Sequence, residues 1–203
     1  PSHLPEHLHP TYWTASEAIR AVETRDPTRP LFLWMSFARP HSPYDPPQAY
    51  WDMYVDHPHI PAAHVGDWAA RYDRPVADVN APRTRRSDRE IHRGRAGYYG
   101  NISFIDHQIG RVLYEYGKRD PEGLANTLIV FTSDHGDMMG DHHHWRKTYP
   151  YEGSARIPFV VQWPTAWGED VARGQVLSEP IELRDIMPTF LDAAGLDAPD
   201  SVD

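Results

Sequence analysis

The 203-residue chain contains no cysteine, which excludes disulfide bonds, thiolate metal sites and a cysteine nucleophile within these residues. No apolar run approaches the ~20 residues that a membrane-spanning helix needs. A surplus of positive charge is also missing, since 29 acidic residues outnumber 20 basic ones and the formal charge is -9. Nucleic-acid binding needs a basic footprint. We therefore expect neither a membrane span nor a nucleic-acid partner.

The first residues, Pro1 to Glu6, lack an initial methionine, a basic start and an apolar stretch, so they do not resemble a signal peptide. This pattern indicates a portion of a longer protein. The composition that is present, with 40% hydrophobic and 12% aromatic residues, is too apolar for a disordered chain and ordinary for a globular enzyme. A length of 203 residues is enough for one substantial domain or a large piece of one.

Apolar periodicity predicts strands alternating with helices. Mostly apolar runs predict buried strands at residues 31–37, 127–133 and 159–162. Helical patterns are found at residues 14–23, 48–54, 87–117 and 184–194. Thr14 and Glu17 are placed as a capping box for the first of these helices. Strands separated by helices predict an α/β fold with a mostly parallel sheet and helices on both faces.

Residues 55–86, called the long loop below, show no apolar period. A structureless stretch of this length inside a domain is usually a functional loop or is disordered. Binding residues are found on loops more often than on the elements that loops connect. We therefore expect the long loop, with Trp68 and Tyr72, to determine substrate specificity.

Candidate ligands follow two of the predicted strands. Asp134 and His135 come after the strand at 127–133, and His41 follows the strand at 31–37 in a loop stiffened by prolines. Ligands of open α/β sheets bind beyond the carboxyl ends of the strands. A carboxylate and an imidazole are competent metal ligands, although an Asp-His pair also often caps a turn. A fixed histidine suits proton donation to a leaving oxygen, and its alternative role is a packed loop residue.

The polar stretch after the Asp-His pair holds further candidates. Lys147 is either a point charge for an oxygen of an anionic ester or a solvated charge, and Arg146 should point elsewhere, into a salt bridge. Gly136 lets the backbone turn sharply. Asp137 and Asp141 suit turn and capping roles. Three adjacent histidines are either further metal ligands or solvent-facing loop residues: His142, His143 and His144.

Four stretches, taken in order, resemble the sulfatase family of the alkaline phosphatase superfamily. They are the apolar run with its Pro-His-Ser-Pro loop (31–47), the long helix (97–112), the polar stretch (127–158) and the last helix (182–195). The polar stretch is the most specific, with Ser-Asp-His-Gly-Asp, Gly-Asp-His, Trp-Arg-Lys and Tyr-Glu in order. The resemblance implies that residues 1–203 are a partial sulfatase catalytic domain with an alkaline-phosphatase-like fold, which contributes to the hydrolysis of sulfate esters.

By this resemblance Asp134 and His135 are metal ligands, Lys147 contacts the sulfate, and His41 contacts it near the leaving oxygen. The family nucleophile is a formylglycine made from the first residue of a Cys/Ser-x-Pro-x-Arg motif, and the 203 residues lack this motif. The resemblance therefore predicts that the nucleophile lies upstream, that the chain needs this upstream segment, and that the chain alone is inactive. It also favours a periplasmic or secreted location.

His135 departs from the pattern of many family members, which carry Asn at this place. An amide oxygen suits Ca²⁺, the ion that the family favours, whereas an imidazole nitrogen suits Zn²⁺ or Mn²⁺. The Asp-His form also resembles the phosphonate and phosphodiester hydrolases of the superfamily. Two alternatives to sulfate ester hydrolysis therefore stay open: a phosphodiester or phosphonate monoester hydrolase on the same scaffold, and a non-catalytic fragment.

Overall fold

The structure, a computed structural model, describes residues 1–78 and 80–199 and contains two compact units. The first unit comprises residues 1–121 and 135–156, and the second comprises residues 122–134 and the chain from residue 157. The α-helices of the described residues are α1 (Pro10–Thr24), α2 (Gln48–Asp52), α3 (Asp88–Arg119), α4 (Pro121–Ala125), α5 (Glu152–Ala155) and α6 (Ile186–Ala193). The strands are β1 (Ile129–Thr132) and β2 (Phe159–Gln162), and 3₁₀ turns lie at Glu6–Leu8, Asp67–Tyr72, Asp141–His143, Thr165–Asp170 and Leu183–Asp185.

Helix α3 confirms the long helix predicted at residues 87–117. A capping box closes its first turn, because Ser87 Oγ accepts from the backbone N–H of Glu90 and the Glu90 carboxylate accepts from that of Ser87. Helix α3 packs on α1, where Val112, Ala15 and Ala18 form a buried cluster. In the part of the chain that the structure describes, every helix is too short or too polar to cross a bilayer.

Helix α1 begins at Pro10, so the predicted capping box of Thr14 and Glu17 is wrong. The N-cap is His9, whose Nδ1 accepts a hydrogen bond from the backbone N–H of Thr11 over 3.2 Å. Pro10 suits the first helical position because its φ is already helical and it has no N–H to leave unpaired. A histidine cap escapes prediction, since the usual N-cap residues are Ser, Thr, Asp and Asn.

The strand predicted at residues 31–37 is wrong, because this segment forms neither helix nor strand. Met35 and Phe37 pack against the cluster between α1 and α3, whereas Phe32 and Trp34 are 70% and 67% exposed. A β-strand is defined by backbone hydrogen bonds to a neighbouring strand. Within the described ranges, no strand is paired with this segment. The apolar pattern therefore predicted correctly that part of the segment is buried, but it predicted wrongly that the segment pairs with a neighbouring strand.

The strands predicted at residues 127–133 and 159–162 are confirmed as β1 and β2. They form a two-stranded antiparallel sheet in which Ile129 is opposite Gln162. We expected a mostly parallel sheet, whereas this pair of strands is antiparallel. Mixed sheets are common in α/β folds, so one antiparallel pair is compatible with that class.

The remaining predictions of secondary structure agree with the fold. Helix α2 lies within the predicted range 48–54, and α6 lies within 184–194. Gly195 follows α6 with a φ of 68°, the left-handed conformation in which glycine commonly ends a helix. The described part of the long loop is irregular except for the turn Asp67–Tyr72 and a bridge at Arg83.

Candidate active site

His41 and Lys147 are in direct contact although 106 positions separate them in the sequence. Lys147 Nζ is 2.9 Å from His41 Nε2, and His41 Nδ1 is 2.8 Å from the carbonyl oxygen of Ser42. Because a carbonyl oxygen only accepts, Nδ1 carries the ring proton and Nε2 presents its lone pair to the ammonium group. The pair thus holds a positive charge and a transferable proton, which suits an anionic ester whose leaving oxygen must be protonated.

An ion pair holds the loop that carries His41. Arg39 donates from Nε and Nη2 to the two carboxylate oxygens of Asp45, over 2.7 and 3.2 Å. Two parallel bonds of this kind fix orientation as well as distance. The loop rests directly on α3, because a Cβ at Gly97 would lie 2.5 Å from the carbonyl oxygen of Tyr44. Only glycine at this helical position leaves room for the loop backbone.

His135 lies beside His41, with 6.3 Å between the ring centroids. Its Nδ1 donates to the carbonyl oxygen of Gly136 over 2.7 Å, so Nε2 carries the lone pair that a metal ion needs. A sharp turn was predicted at Gly136 on the ground that glycine can adopt a positive φ. The φ of Gly136 is not in the left-handed region, so the backbone does not need glycine for that reason. Glycine is required there because a Cβ would overlap the carbonyl oxygen of Gly153.

Asp134 follows β1 by two residues and belongs to the second unit, with the strand pair. Its carboxylate and the Nε2 of His135 are donors that suit a divalent ion, but two donors do not complete a coordination shell. Within residues 1–78 and 80–199, no group of three His, Asp or Glu side chains is placed to hold a metal ion. By their chemistry a carboxylate and an imidazole are therefore compatible with a metal ion only as part of a larger donor set.

Asp137 joins two loops of the site. Its Oδ1 accepts from the backbone N–H groups of Met139 and Arg146, over 3.0 and 2.9 Å. Its Oδ2 accepts from Tyr44 Oη over 2.9 Å. The bond to Met139 confirms the predicted turn role of Asp137. The bond to Tyr44 escapes sequence analysis, because 93 positions separate the two residues and no local pattern connects them.

The backbone of residues 136–148, called the site segment below, adopts conformations that residues other than glycine rarely take. Positive φ angles occur at Met139, His142, His143, Arg146 and Thr148. Each costs about 1–3 kcal/mol and persists only where surrounding contacts hold it. Arg146 Nη2 donates to Asn80 Oδ1, a neutral amide, over 2.8 Å, and no carboxylate of the described residues pairs with this guanidinium, so the predicted salt bridge is wrong.

Arg95, a buried residue of α3, ties the site segment to the long loop. Its guanidinium donates to the carbonyl oxygen of Met139 over 3.1 Å and to the carboxylate of Asp141 over 2.7 Å. It also donates to the carbonyl oxygens of Pro61 and Ala62, over 3.0 and 3.1 Å. A single side chain therefore holds the strained segment against the loop in which we expect specificity.

Two of the three adjacent histidines, His142 and His144, lie in an aromatic cluster, whereas His143 Nε2 lies 3.9 Å from Asp73 Oδ1. His144 is 2% exposed, and its ring meets those of Tyr72 and Tyr149 edge-on at centroid distances of 4.8 and 4.6 Å. Burial lowers the pKa of His144, which therefore favours the neutral ring. The ring of His142 contacts that of Trp68 at 4.7 Å. These residues pack the site segment against the turn of the long loop.

The whole chain superposes on the solved structure of a phosphonate monoester hydrolase from Silicibacter pomeroyi. The TM-score is 0.79 at 28% sequence identity, and the match covers 41% of that protein. The arrangement of helices and strands, with a polar segment after β1, therefore defines a protein of the alkaline-phosphatase-like α/β class. This confirms the predicted fold class.

The sulfatase family model matches residues 10–196, and the chain belongs to the sulfatase family. Similar proteins include an arylsulfatase of Clostridium perfringens, 49% identical over 203 residues, and a choline-sulfatase of Rhizobium meliloti, 32% identical over 172 residues. These matches cover 98% and 83% of the chain but 41% and 32% of the two relatives. The chain thus spans less than half the length of either relative.

Proposed function

We propose that the chain supplies part of the active site of an enzyme that hydrolyses sulfate esters. The contact between Lys147 and His41 carries this proposal, because it places a positive charge and a transferable proton together. Lys147 stabilises the negative charge on the sulfate oxygens as the ester bond breaks. When His41 carries a proton on Nε2 as well as on Nδ1, it passes the Nε2 proton to the leaving oxygen and returns to the neutral ring. The family and the arylsulfatase and choline-sulfatase relatives support this substrate class.

Asp134 and His135 are the two residues of this chain that would hold a divalent ion. A bound ion polarises an oxygen of the ester. Membership of the family favours Ca²⁺, and the imidazole of His135 favours Mn²⁺ or Zn²⁺. The other metal ligands and a formylglycine nucleophile would come from protein outside these 203 residues. The share of the relatives that the chain covers supports this part of the proposal.

A second candidate function is the hydrolysis of phosphonate monoesters or phosphodiesters. The structural similarity to a phosphonate monoester hydrolase supports it, and so does His135, whose nitrogen ligand differs from the family's usual Asn. Both kinds of ester present a tetrahedral anionic centre to Lys147 and His41. Relative rates on sulfate and phosphonate esters with the same aryl leaving group distinguish the two functions.

The test is a chimera in which this chain replaces the matching segment of the Clostridium perfringens arylsulfatase, which is 49% identical to it. We expect the chimera to hydrolyse an aryl sulfate faster than the corresponding phenylphosphonate ester. The isolated chain and a Lys147→Ala chimera are the controls, and both should be inactive or nearly so. A folded chimera that prefers the phosphonate would support the second candidate. A folded chimera without activity on either ester would show that the chain is not a catalytic part.

A further inference from the structure

A cavity of about 390 Å³ lies in the first unit, between the start of the long loop and the beginning of α3. Its lining consists of two short groups of residues that face each other: Val55, Asp56, His57 and Pro58 on the loop, and Arg89, His92 and Arg93 on the helix. None of these residues belongs to the candidate active site. The cavity is large enough for a charged substituent of a ligand.

Two guanidinium groups line the helical wall of this cavity. Arg89 and Arg93 are four residues apart, so they lie on the same face of α3 with a rise of about 6 Å between them. Like charges at this spacing destabilise a helix. In the described residues neither arginine is paired with a carboxylate, whereas Arg95 and Arg119 of the same helix pair with Asp141 and Glu23. The carboxylate of Asp56 also lines the cavity, but among the described residues it forms no ion pair with either arginine.

Contacts with neighbouring groups hold the donors of the cavity in place. The guanidinium carbon of Arg93 lies 5.0 Å from the ring centroid of Trp51, which is buried, so a cation–π contact restricts this side chain. His92 Nε2 donates to the carbonyl oxygen of Val55 over 2.9 Å and fixes the loop against the helix. His57 Nδ1 accepts a backbone N–H, which leaves the ring proton on Nε2, a donor group.

We propose that this cavity binds an oxyanion group of the substrate that is not hydrolysed, a second sulfate on a multiply sulfated ester. The inference rests on the proposed function. Guanidinium groups recognise tetrahedral oxyanions with paired N–H donors, and two of them one turn apart can grip a single sulfate. Asp56 also lines the cavity, and its carboxylate limits the affinity for anions.

The position of the cavity along α3 fits a substrate that extends from the hydrolytic site. Gly97, on which the loop of His41 rests, is one helical turn beyond Arg93. A substrate whose first sulfate meets Lys147 would therefore carry its second sulfate along the helix. A site of this kind at the beginning of the long loop gives that loop a role in selecting substrates.

The first experiment measures binding without turnover, so its result does not depend on the proposed function. Inorganic sulfate is titrated into the Lys147→Ala chimera, which weakens the hydrolytic site, and binding is followed by isothermal titration calorimetry. We expect Arg93→Gln, and separately Arg89→Gln, to weaken binding by about tenfold, the scale of one charge-assisted hydrogen bond. Asp56→Asn should strengthen it. Arg85→Gln is the matched control, because Arg85 pairs with Asp73 outside the cavity.

The second experiment uses steady-state kinetics of the active chimera to test whether the bound sulfate belongs to the substrate. We expect Arg93→Gln to raise KM for a disulfated disaccharide by about tenfold while leaving KM for a monosulfated aryl ester unchanged. If the arginine variants and the Arg85→Gln control bind sulfate with equal affinity, the proposal that the cavity binds sulfate is wrong. Arginine-dependent sulfate binding without any effect on the disulfated substrate would overturn the role in substrate recognition.

Discussion

Tyr44 Oη donates a hydrogen bond to Asp137 Oδ2 over 2.9 Å, and this bond links the loop of His41 to the site segment. Tyr44 follows His41 by three residues, and Asp137 also holds the backbone N–H of Arg146, next to Lys147. Burial raises the pKa of Tyr44, and the nearby Asp137 carboxylate raises it further, so the hydroxyl stays protonated. The distance between the lysine and the histidine therefore depends on a bond that neither residue makes.

Tyr44→Phe removes this bond without changing the ring. We expect kcat for an aryl sulfate to fall by about tenfold, because a small displacement of positioned groups is costly, while KM changes little. Leaving one oxygen of Asp137 without its donor should also cost about 1–3 kcal/mol of stability. Tyr54→Phe is the control, since that hydroxyl is bonded to Ser103. Equal kcat values for both variants would contradict the positioning role of Tyr44.

Lys147→Ala should lower kcat by about 10²-fold or more, the scale observed when one preorganised donor is lost from a transition state. Arg146→Ala should have a much smaller effect, because its guanidinium is bonded to Asn80 and not to the Lys–His pair. The measurement is kcat for an aryl sulfate in the chimera. Small and equal losses in the two variants would make Lys147 a surface charge.

His41→Ala should slow esters with poor leaving groups far more than nitrophenyl esters, because a nitrophenolate leaves without a proton. The measurement is the slope of log kcat against leaving-group pKa, which should become steeper in the variant. His59→Ala is a control, because His59 is an exposed histidine of the long loop. A uniform loss across leaving groups would assign His41 to binding or structure.

Asp134→Asn should reduce both the metal content and the activity of the chimera, because the charged oxygen ligand becomes a neutral amide. His135→Asn restores the residue type that many family members carry. It should shift the preference of the site from Mn²⁺ or Zn²⁺ towards Ca²⁺. Elemental analysis after equilibration with each ion provides the measurement. Unchanged metal content in both variants would show that these residues are not metal ligands.

His144 should make the fold sensitive to acid. Burial lowers its pKa below the ordinary value of 6.5, so the folded state favours the neutral ring and the unfolded state binds a proton first. Its contribution to stability is present above about pH 6.5 and is lost as the pH falls through the lowered pKa. His144→Phe should therefore reduce the fall in Tm between pH 8 and pH 5. The same fall in Tm as in the unsubstituted chimera would exclude this effect.

Elements that depend on local sequence were predictable. The apolar spacing along α3 is a property of neighbouring residues, so the helix was located almost to its ends. The apolar runs of β1 and β2 were equally clear. The segment at 31–37 carries the same signal but forms no strand, because a ladder needs a partner and periodicity does not reveal one.

The candidate site was only partly predictable, for the same reason. The order of motifs placed His41, Lys147 and His135 in one site, and the structure brings these three side chains together. The packing of His144 could not be read from three adjacent histidines, because Tyr72 comes from a distant segment. The bond between Tyr44 and Asp137 likewise spans the first unit. Long-range contacts are decided by the fold and leave no periodic trace in the sequence.

The network of Arg95 determines where related genes can be recombined to exchange specificity. The guanidinium bonds to Pro61 and Ala62 on one side and to Met139 and Asp141 on the other. A crossover between the long loop and α3, or between α3 and the site segment, takes Arg95 from one parent and some of its hydrogen-bond partners from the other. Such hybrids should express poorly or lose activity even when every catalytic side chain is retained. A crossover before residue 55 paired with one after residue 148 keeps the network whole, so this stretch is the natural cassette for exchange.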